Sequence, residues 1–183
     1  ILEFASDKNP DIIFSAIGDY LTKESGAAIQ ILKDIAPEIK IRFVNILELS
    51  WLGIGSEVCL ANEIFEKYFT KDKPIIINYH GYPNDVKQLL LCQKNTERFS
   101  VHGYTEHGST TTPFDMHVRN GTSRFNLVIE ALELIKKNKV IVKEKAEALI
   151  KEYNKKLEEH CNYIKEYGED PKEIAEWKWE KNI

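Results

Sequence analysis

The chain has 183 residues, 43% of them hydrophobic, enough for one well-filled core with an appendage. Its formal net charge of −4 argues against nucleic acid as a partner, because a phosphate backbone needs a basic face. No apolar run nears the roughly 20 residues that cross a bilayer, and Ile1-Leu2-Glu3-Phe4-Ala5 lacks a signal-peptide pattern.

Ile12-Ile13-Phe14-Ser15-Ala16-Ile17 is a short β-rich run closed by Gly18-Asp19, as expected of a buried strand. A helix is expected next, with Thr22 as candidate N-cap. Its apolar face is Ala28, Ile31, Leu32 and Ile35, and Pro37 stops it. A second strand, Ile41 to Ile46, leads into a loop around Trp51 to Ser56, and Glu63 to Phe69 reads as a shorter helix burying Phe65 and Phe69. The third strand is Pro74 to Tyr79. After His80-Gly81-Tyr82, Pro83 suits the first position of a helix, where its missing N–H costs nothing. Phe99-Ser100-Val101-His102 is a fourth, short strand. This alternation predicts an α/β fold of three αβα layers around a mostly parallel sheet of about five strands.

Phe125, Val128, Ile129 and Leu132 recur at helical spacing, so a helix begins near Ser123. From Lys143 to Tyr167 the pattern narrows. Ala146, Ile150, Tyr153, Leu157, His160, Ile164 and Tyr167 form a stripe with steps of four and three, flanked by charge. Such a stripe lies along a larger body or pairs with another helix. The α/β body is assigned to residues 1–140, and the long helix and docking tail to 141–183 within the same domain.

The segment from His102 to Gly121 has neither helical nor strand periodicity, and turn chemistry or a docked partner must shape it. Thr112-Pro113-Phe114-Asp115 reads as a helix start, with Thr112 at the N-cap, and Ser123 caps the next helix. Gly108, Ser109, Thr110 and Thr111 could present backbone N–H groups to an anion, with Arg119 adding charge, although Asp115 would repel it. His102, His107 and His117 match no metal-ligand spacing. His80 and His102 each end a strand and precede Gly-Tyr, where open α/β sheets place their ligand crevice; bonds to loop carbonyls or to a neighbouring domain are the plainer account. The candidate interface or anion site is therefore His80, Tyr82, His102, Tyr104, Gly108, Thr110, Thr111, Thr112 and Arg119.

No catalytic, cofactor-binding or metal-ligating residue is assigned. Gly53-Ile54-Gly55 is a lone Gly-x-Gly without the further glycine of a dinucleotide fingerprint, and nothing places Asp19 and Glu57 in one cleft. Cys59, Cys92 and Cys161 are odd in number and widely spaced, which suits a reducing cytoplasm. Residue 1 is Ile and the sole methionine is Met116, so the chain is expected to be a piece of a longer polypeptide.

Three stretches together carry a resemblance. They are His80-Gly-Tyr-Pro83, His102-Gly-Tyr-x-Glu106-x-Gly108-x-Thr110-Thr-Thr-Pro-Phe-Asp-Met116, and Arg124-Phe125-x-Leu127-Val128-Ile129. With Lys40 to Ile46, Phe69 to Pro74 and Tyr167 to Trp179 in the same order, the chain resembles the C-terminal domain of phosphoketolases, of the transketolase-like superfamily, over essentially its whole length. It departs from the family pattern at Asn84-Asp85, at Cys92-Gln93, and at His102, where the family usually has Arg.

The resemblance implies a transketolase C-terminal-like fold in a thiamine diphosphate and Mg2+ enzyme. That enzyme splits xylulose 5-phosphate, and often fructose 6-phosphate, with phosphate to give acetyl phosphate and an aldose phosphate. It also implies that the cofactor ligands and catalytic histidines lie in the N-terminal domains, that those domains and a homo-oligomer are the partners, and that this piece holds no cofactor. A structural and interface domain, inactive alone, is the first expectation. A regulatory module binding a phosphorylated metabolite or nucleotide at the strand ends is the alternative. A third is an oligomerisation element working through the long helix.

Overall fold

Each apolar run flanked by polar punctuation becomes a strand, because a parallel strand covered on both faces needs continuous apolar character. The structure, a computed structural model, describes residues 5–53, 60–91, 93–105 and 110–178. In chain order the elements are β1 (Ile12–Ile17), α1 (Asp19–Ile35), β2 (Ile41–Asn45), α2 (Asn62–Phe69), β3 (Ile75–Tyr79), α3 (Pro83–Leu90), β4 (Phe99–His102), α4 (Pro113–Arg119), α5 (Arg124–Lys137), α6 (Lys143–Tyr167) and α7 (Lys172–Ala175). Short 3-10 turns at Leu49–Leu52 and Thr96–Arg98 precede α2 and β4.

The sheet has the order β2-β1-β3-β4, and all three pairings are parallel. About five strands were expected on alternation alone; the described residues hold four, with one antiparallel bridge from Ser6 to Arg42 on the outer side of β2. A fifth parallel strand would need another crossover followed by an extended run. Beyond β4 the regular elements among the described residues are instead helices, α4 to α7.

Alternation along the strands splits the core in two. Ile12, Phe14, Ala16, Ile41, Phe43 and Ile76 face α1, α5 and the start of α6. Ile13, Val44, Ile75 and Ile77 face the other way, onto Phe65 and Phe69 of α2 and Val86 and Leu90 of α3. Helices therefore cover both faces, which is the three-layer arrangement.

The start of α1 differs from the expectation. Gly18, at φ 103, precedes the first turn, and Thr22 lies inside the helix with its Oγ1 donating to the Gly18 carbonyl at 2.7 Å. Gly18 tolerates the positive φ and lets the loop pass tightly, since a Cβ there would sit 2.7 Å from the Cβ of His80. The other helix starts follow local chemistry. Pro83 and Pro113 open α3 and α4, and the Thr112 and Ser123 side chains accept from the backbone N–H of Asp115 and Asn126.

Two arginines complete the C-terminal end of α2. Arg42 Nη1 donates to the carbonyls of Lys67 and Tyr68, each at 2.9 Å. Arg98 donates to those of Phe69 at 2.7 Å, and of Thr70 and Lys73 at 2.9 Å. Carbonyls that the helix cannot satisfy thus gain charged donors.

The stripe on α6 is used within the domain as far as His160. Ala146 and Tyr153 belong to the main core, Ile150 packs against it, and the rings of Tyr153 and Phe125 lie 5.9 Å apart. His160 is buried beneath Phe114, with ring centroids 4.9 Å apart, whereas Tyr167 at the end of the helix is exposed.

Candidate functional site

In the order β2-β1-β3-β4 the chain winds outward in both directions from β1 and β3, so the carboxyl ends of these strands form the expected crevice. A cleft of about 150 Å³ lies there, with His80, Tyr104, His117, Asn120 and Thr122 among its walls. Two copies of one tripeptide meet beside it, of which His80, Gly103 and Tyr104 line it. His80-Gly81-Tyr82 follows β3 and His102-Gly103-Tyr104 begins on the last residue of β4, and the Tyr104 N–H donates to the Gly81 carbonyl at 2.8 Å. Gly103 permits that contact, because a Cβ there would stand 2.3 Å from the Gly81 oxygen. The approach brings the Tyr82 and Tyr104 rings edge to face at 5.8 Å.

The two strand-end histidines diverge. His80 lines the cleft, and its backbone N–H donates to the Ile17 carbonyl at 2.9 Å. His102 turns to α5, where its Nε2 meets Glu130 Oε2. Burial works against ionisation of Glu130, but hydrogen bonds from His102 and Ser100 and the charge of His102 outweigh it and hold the carboxyl below its usual range.

His117 forms the cleft wall nearest α1. Its ring stacks on Tyr20 at 4.2 Å, and its Nδ1 lies 2.8 Å from Thr122 Oγ1. Burial lowers the pKa of this imidazole, with His80 acting in the same sense and Glu24 and Asp170 opposing. Burial, with Glu24 and Asp170, pushes the Tyr20 hydroxyl up to about 12. The Thr122 hydroxyl is buried and also reaches the His117 carbonyl at 3.3 Å, so this contact orients the ring rather than activating a nucleophile.

The threonine run is tied into the fold. Thr111 Oγ1 donates to Asp115 Oδ2 at 2.6 Å, and Arg119 Nε donates to the same oxygen at 2.7 Å. Asp115 pulls the Arg119 pKa upward by that bond and its charge. The Asp170 carboxylate, reaching over from the tail, accepts from Thr112 Oγ1 at 2.5 Å and from the Phe114 N–H at 3.0 Å. His160 Nε2 lies 3.4 Å from it. The place an anion would take at the start of α4 is thus held by a carboxylate of the same chain. Thr110 is exposed, and Gly108, like His107 and Glu57, lies outside the described residues.

Beside this network is a buried ion pair. Glu24 accepts from Arg124 Nη2 at 2.7 Å, Nε at 3.0 Å and the Arg124 N–H at 2.9 Å. The guanidinium lies between the rings of Phe114, 5.5 Å away, and Trp177, 5.2 Å away. Tyr20, Glu24, Asn120 and Asp170 are absent from the site expected on sequence. Nothing short-range marks them: Asp170 meets Phe114 across 56 residues, and Glu24 meets Arg124 across 100.

The sequence of the XFP C-terminal domain family matches residues 1–179. The chain belongs to that family. The XFP domain is 42% identical over 179 residues to the probable phosphoketolase of Chlorobaculum tepidum, a match covering 96% of this chain and 22% of the relative. It is 41% identical over 172 residues to the probable phosphoketolase 2 of Lactiplantibacillus plantarum (94% and 21% covered) and 38% identical over 172 residues to the probable phosphoketolase of Brucella abortus (93% and 21%). The chain therefore spans about a fifth of the length of these curated relatives.

Phosphoketolases depend on thiamine diphosphate, and the strand-end cleft does not present the groups that would hold it. No three His, Cys, Asp or Glu side chains among the described residues converge as a divalent cation would require, and neither Lys nor Arg lines the strand-end cleft to meet a diphosphate. No described helix is long and apolar enough to cross a membrane.

Proposed function

We propose that this chain is the C-terminal domain of a cytoplasmic phosphoketolase, and that it supports the enzyme's architecture without supplying reactive groups. The full enzyme, an aldehyde-lyase, cleaves xylulose 5-phosphate, fructose 6-phosphate or both with inorganic phosphate, giving acetyl phosphate and an aldose phosphate. Thiamine diphosphate and Mg2+ are held by the N-terminal domains. Those domains and further copies of the subunit are this domain's partners. The body to residue 140 and the helix and tail of 141–183 act together as one unit, and no residue here has a catalytic, cofactor-binding or metal-binding role. The family match over residues 1–179 carries this reading. The internal pairing of Thr111, Thr112, Arg119 and Asp170 supports it, since it leaves those groups a structural task.

Acetyl phosphate formation from both sugar phosphates, measured on the 183-residue chain and on a longer polypeptide carrying it, tests the reading. Turnover is expected from the longer polypeptide only. Turnover by the short chain alone would defeat the assignment.

A second reading is a regulatory site for a phosphorylated metabolite or nucleotide at the strand-end cleft, where His80, Tyr104 and His117 would meet the ligand without help from Lys or Arg. Titration calorimetry with phosphate, ATP, AMP and the two sugar phosphates addresses it. Heat from one of them supports the site, and silence across the panel ends it.

A further inference from the structure

We infer that the face formed by Leu47, Trp51 and Ile64, beside the outer edge of β2, is the seat of the polypeptide that precedes this domain in a phosphoketolase. Ile64 is 44% exposed and Trp51 40%, both on one groove, and Leu47, 83% exposed, directly follows the groove residue Ile46 in the chain. The groove, of about 300 Å³, has walls that also include Val44, Leu60 and Tyr68. It opens between β2 and α2, and its lining is mostly apolar, as an interface core requires.

The course of the chain names the occupant. The first described residues run antiparallel beside β2, with Ser6 opposite Arg42. Arg42 then ties that segment to the groove. Its Nε donates to the Asp7 carbonyl at 3.1 Å and its Nη2 to that of Lys8 at 2.7 Å, while Nη1 donates to the carbonyls of Lys67 and of the groove residue Tyr68. One guanidinium therefore holds the incoming polypeptide against the helix that walls the groove. Relatives with about four-fifths of their length outside the match, in a family described as C-terminal, supply the bulk that this face would cover. A preceding domain tethered at Ser6 meets the groove at high effective concentration, which favours docking within one chain over docking between copies.

The inference rests on the phosphoketolase reading, and the test separates the two. Hydrogen exchange of residues 44–53 and 60–69 is compared between the 183-residue chain and the longer polypeptide. Exchange in the longer one is expected to be slower by about tenfold or more. The double variant Leu47→Asp/Ile64→Asp in the longer polypeptide should return it to the rate of the short chain. Circular dichroism of the short chain should be unchanged by the variant, since both side chains are exposed. Equal exchange in the two unmodified proteins overturns the inference without needing any variant. So does protection that vanishes on dilution to single subunits, which would make a second copy the occupant. Acetyl phosphate turnover without protection sinks the docking face and leaves the function standing. Protection without turnover does the reverse.

Discussion

His117 is held by two neighbours that the fold alone supplies, the stacked ring of Tyr20 and the buried hydroxyl of Thr122. Burial lowers its pKa from 6.5, so the unfolded chain takes up this proton more readily than the folded one. The associated stability is complete above pH 6.5 and is lost as pH falls through the lowered value. Glu130 acts in the same sense further down, its carboxyl held below 4.5 beside His102 and Ser100. Urea denaturation between pH 7 and pH 4 should show falling stability, with His117→Asn flattening the limb below pH 6.5 and Glu130→Gln flattening that below pH 4.5. A limb unchanged by either substitution would contradict this account.

The Glu24–Arg124 pair makes a sharper statement at the same scale. Both groups are buried, so losing one leaves an uncompensated charge, whereas losing both need not. Arg124→Met is expected to cost about 3 to 5 kcal/mol, and Glu24→Leu with Arg124→Met much less than the sum of the singles. Denaturant midpoints for the two singles and the double decide it. Additive losses would show that the two residues act independently.

Among the elements, α4 shows how local and distant contributions divide. Thr112, Pro113 and Ser123 could be read as helix starts because a cap bonds within three residues. Asp170 could not, because its partners at the start of α4 lie 56 and 58 residues away. Removing it with Asp170→Ala takes an acceptor from Thr112 and Phe114 and should cost about 1 to 2 kcal/mol. The tail should loosen with it, since Lys23 Nζ reaches the Ala175 carbonyl at 3.2 Å and Trp177 covers Arg124. Limited proteolysis checks this. Cleavage within 168–178 should quicken in the variant, and equal rates would show that the tail is held elsewhere. The long helix is the complementary case. Its bounds, Lys143 to Tyr167, could be read from periodicity, but whether the stripe lay along a larger body or against another helix could not; it packs on the domain's own core as far as His160. Periodicity shows which face is apolar and is silent about what lies against it.

At the scale of the whole molecule, a ligand that binds only the folded state raises its melting temperature. Thiamine diphosphate with Mg2+ should leave the melting temperature of the 183-residue chain unchanged and raise that of a longer polypeptide carrying the cofactor domains. Scanning calorimetry reads both, and stabilisation of the short chain would place cofactor ligands within it and overturn this division. On the proposed reading, the exposed face beside β2 fits the same picture, as a surface offered to the rest of a polypeptide about five times longer.

By itself the sequence determined the alternation of strands and helices, the caps of α4 and α5, the full length of α6 and the family. All of these depend on neighbours a few residues apart or on motifs read in order. Only the tertiary structure decided that the sheet holds four described strands and that His102 turns from the cleft to Glu130. It also decided that Asp170 fills the start of α4 and that Glu24 and Arg124 share one buried site. Each of these joins residues distant in sequence. Their pairing follows from how packed layers bring surfaces together, which no local pattern of residue types encodes.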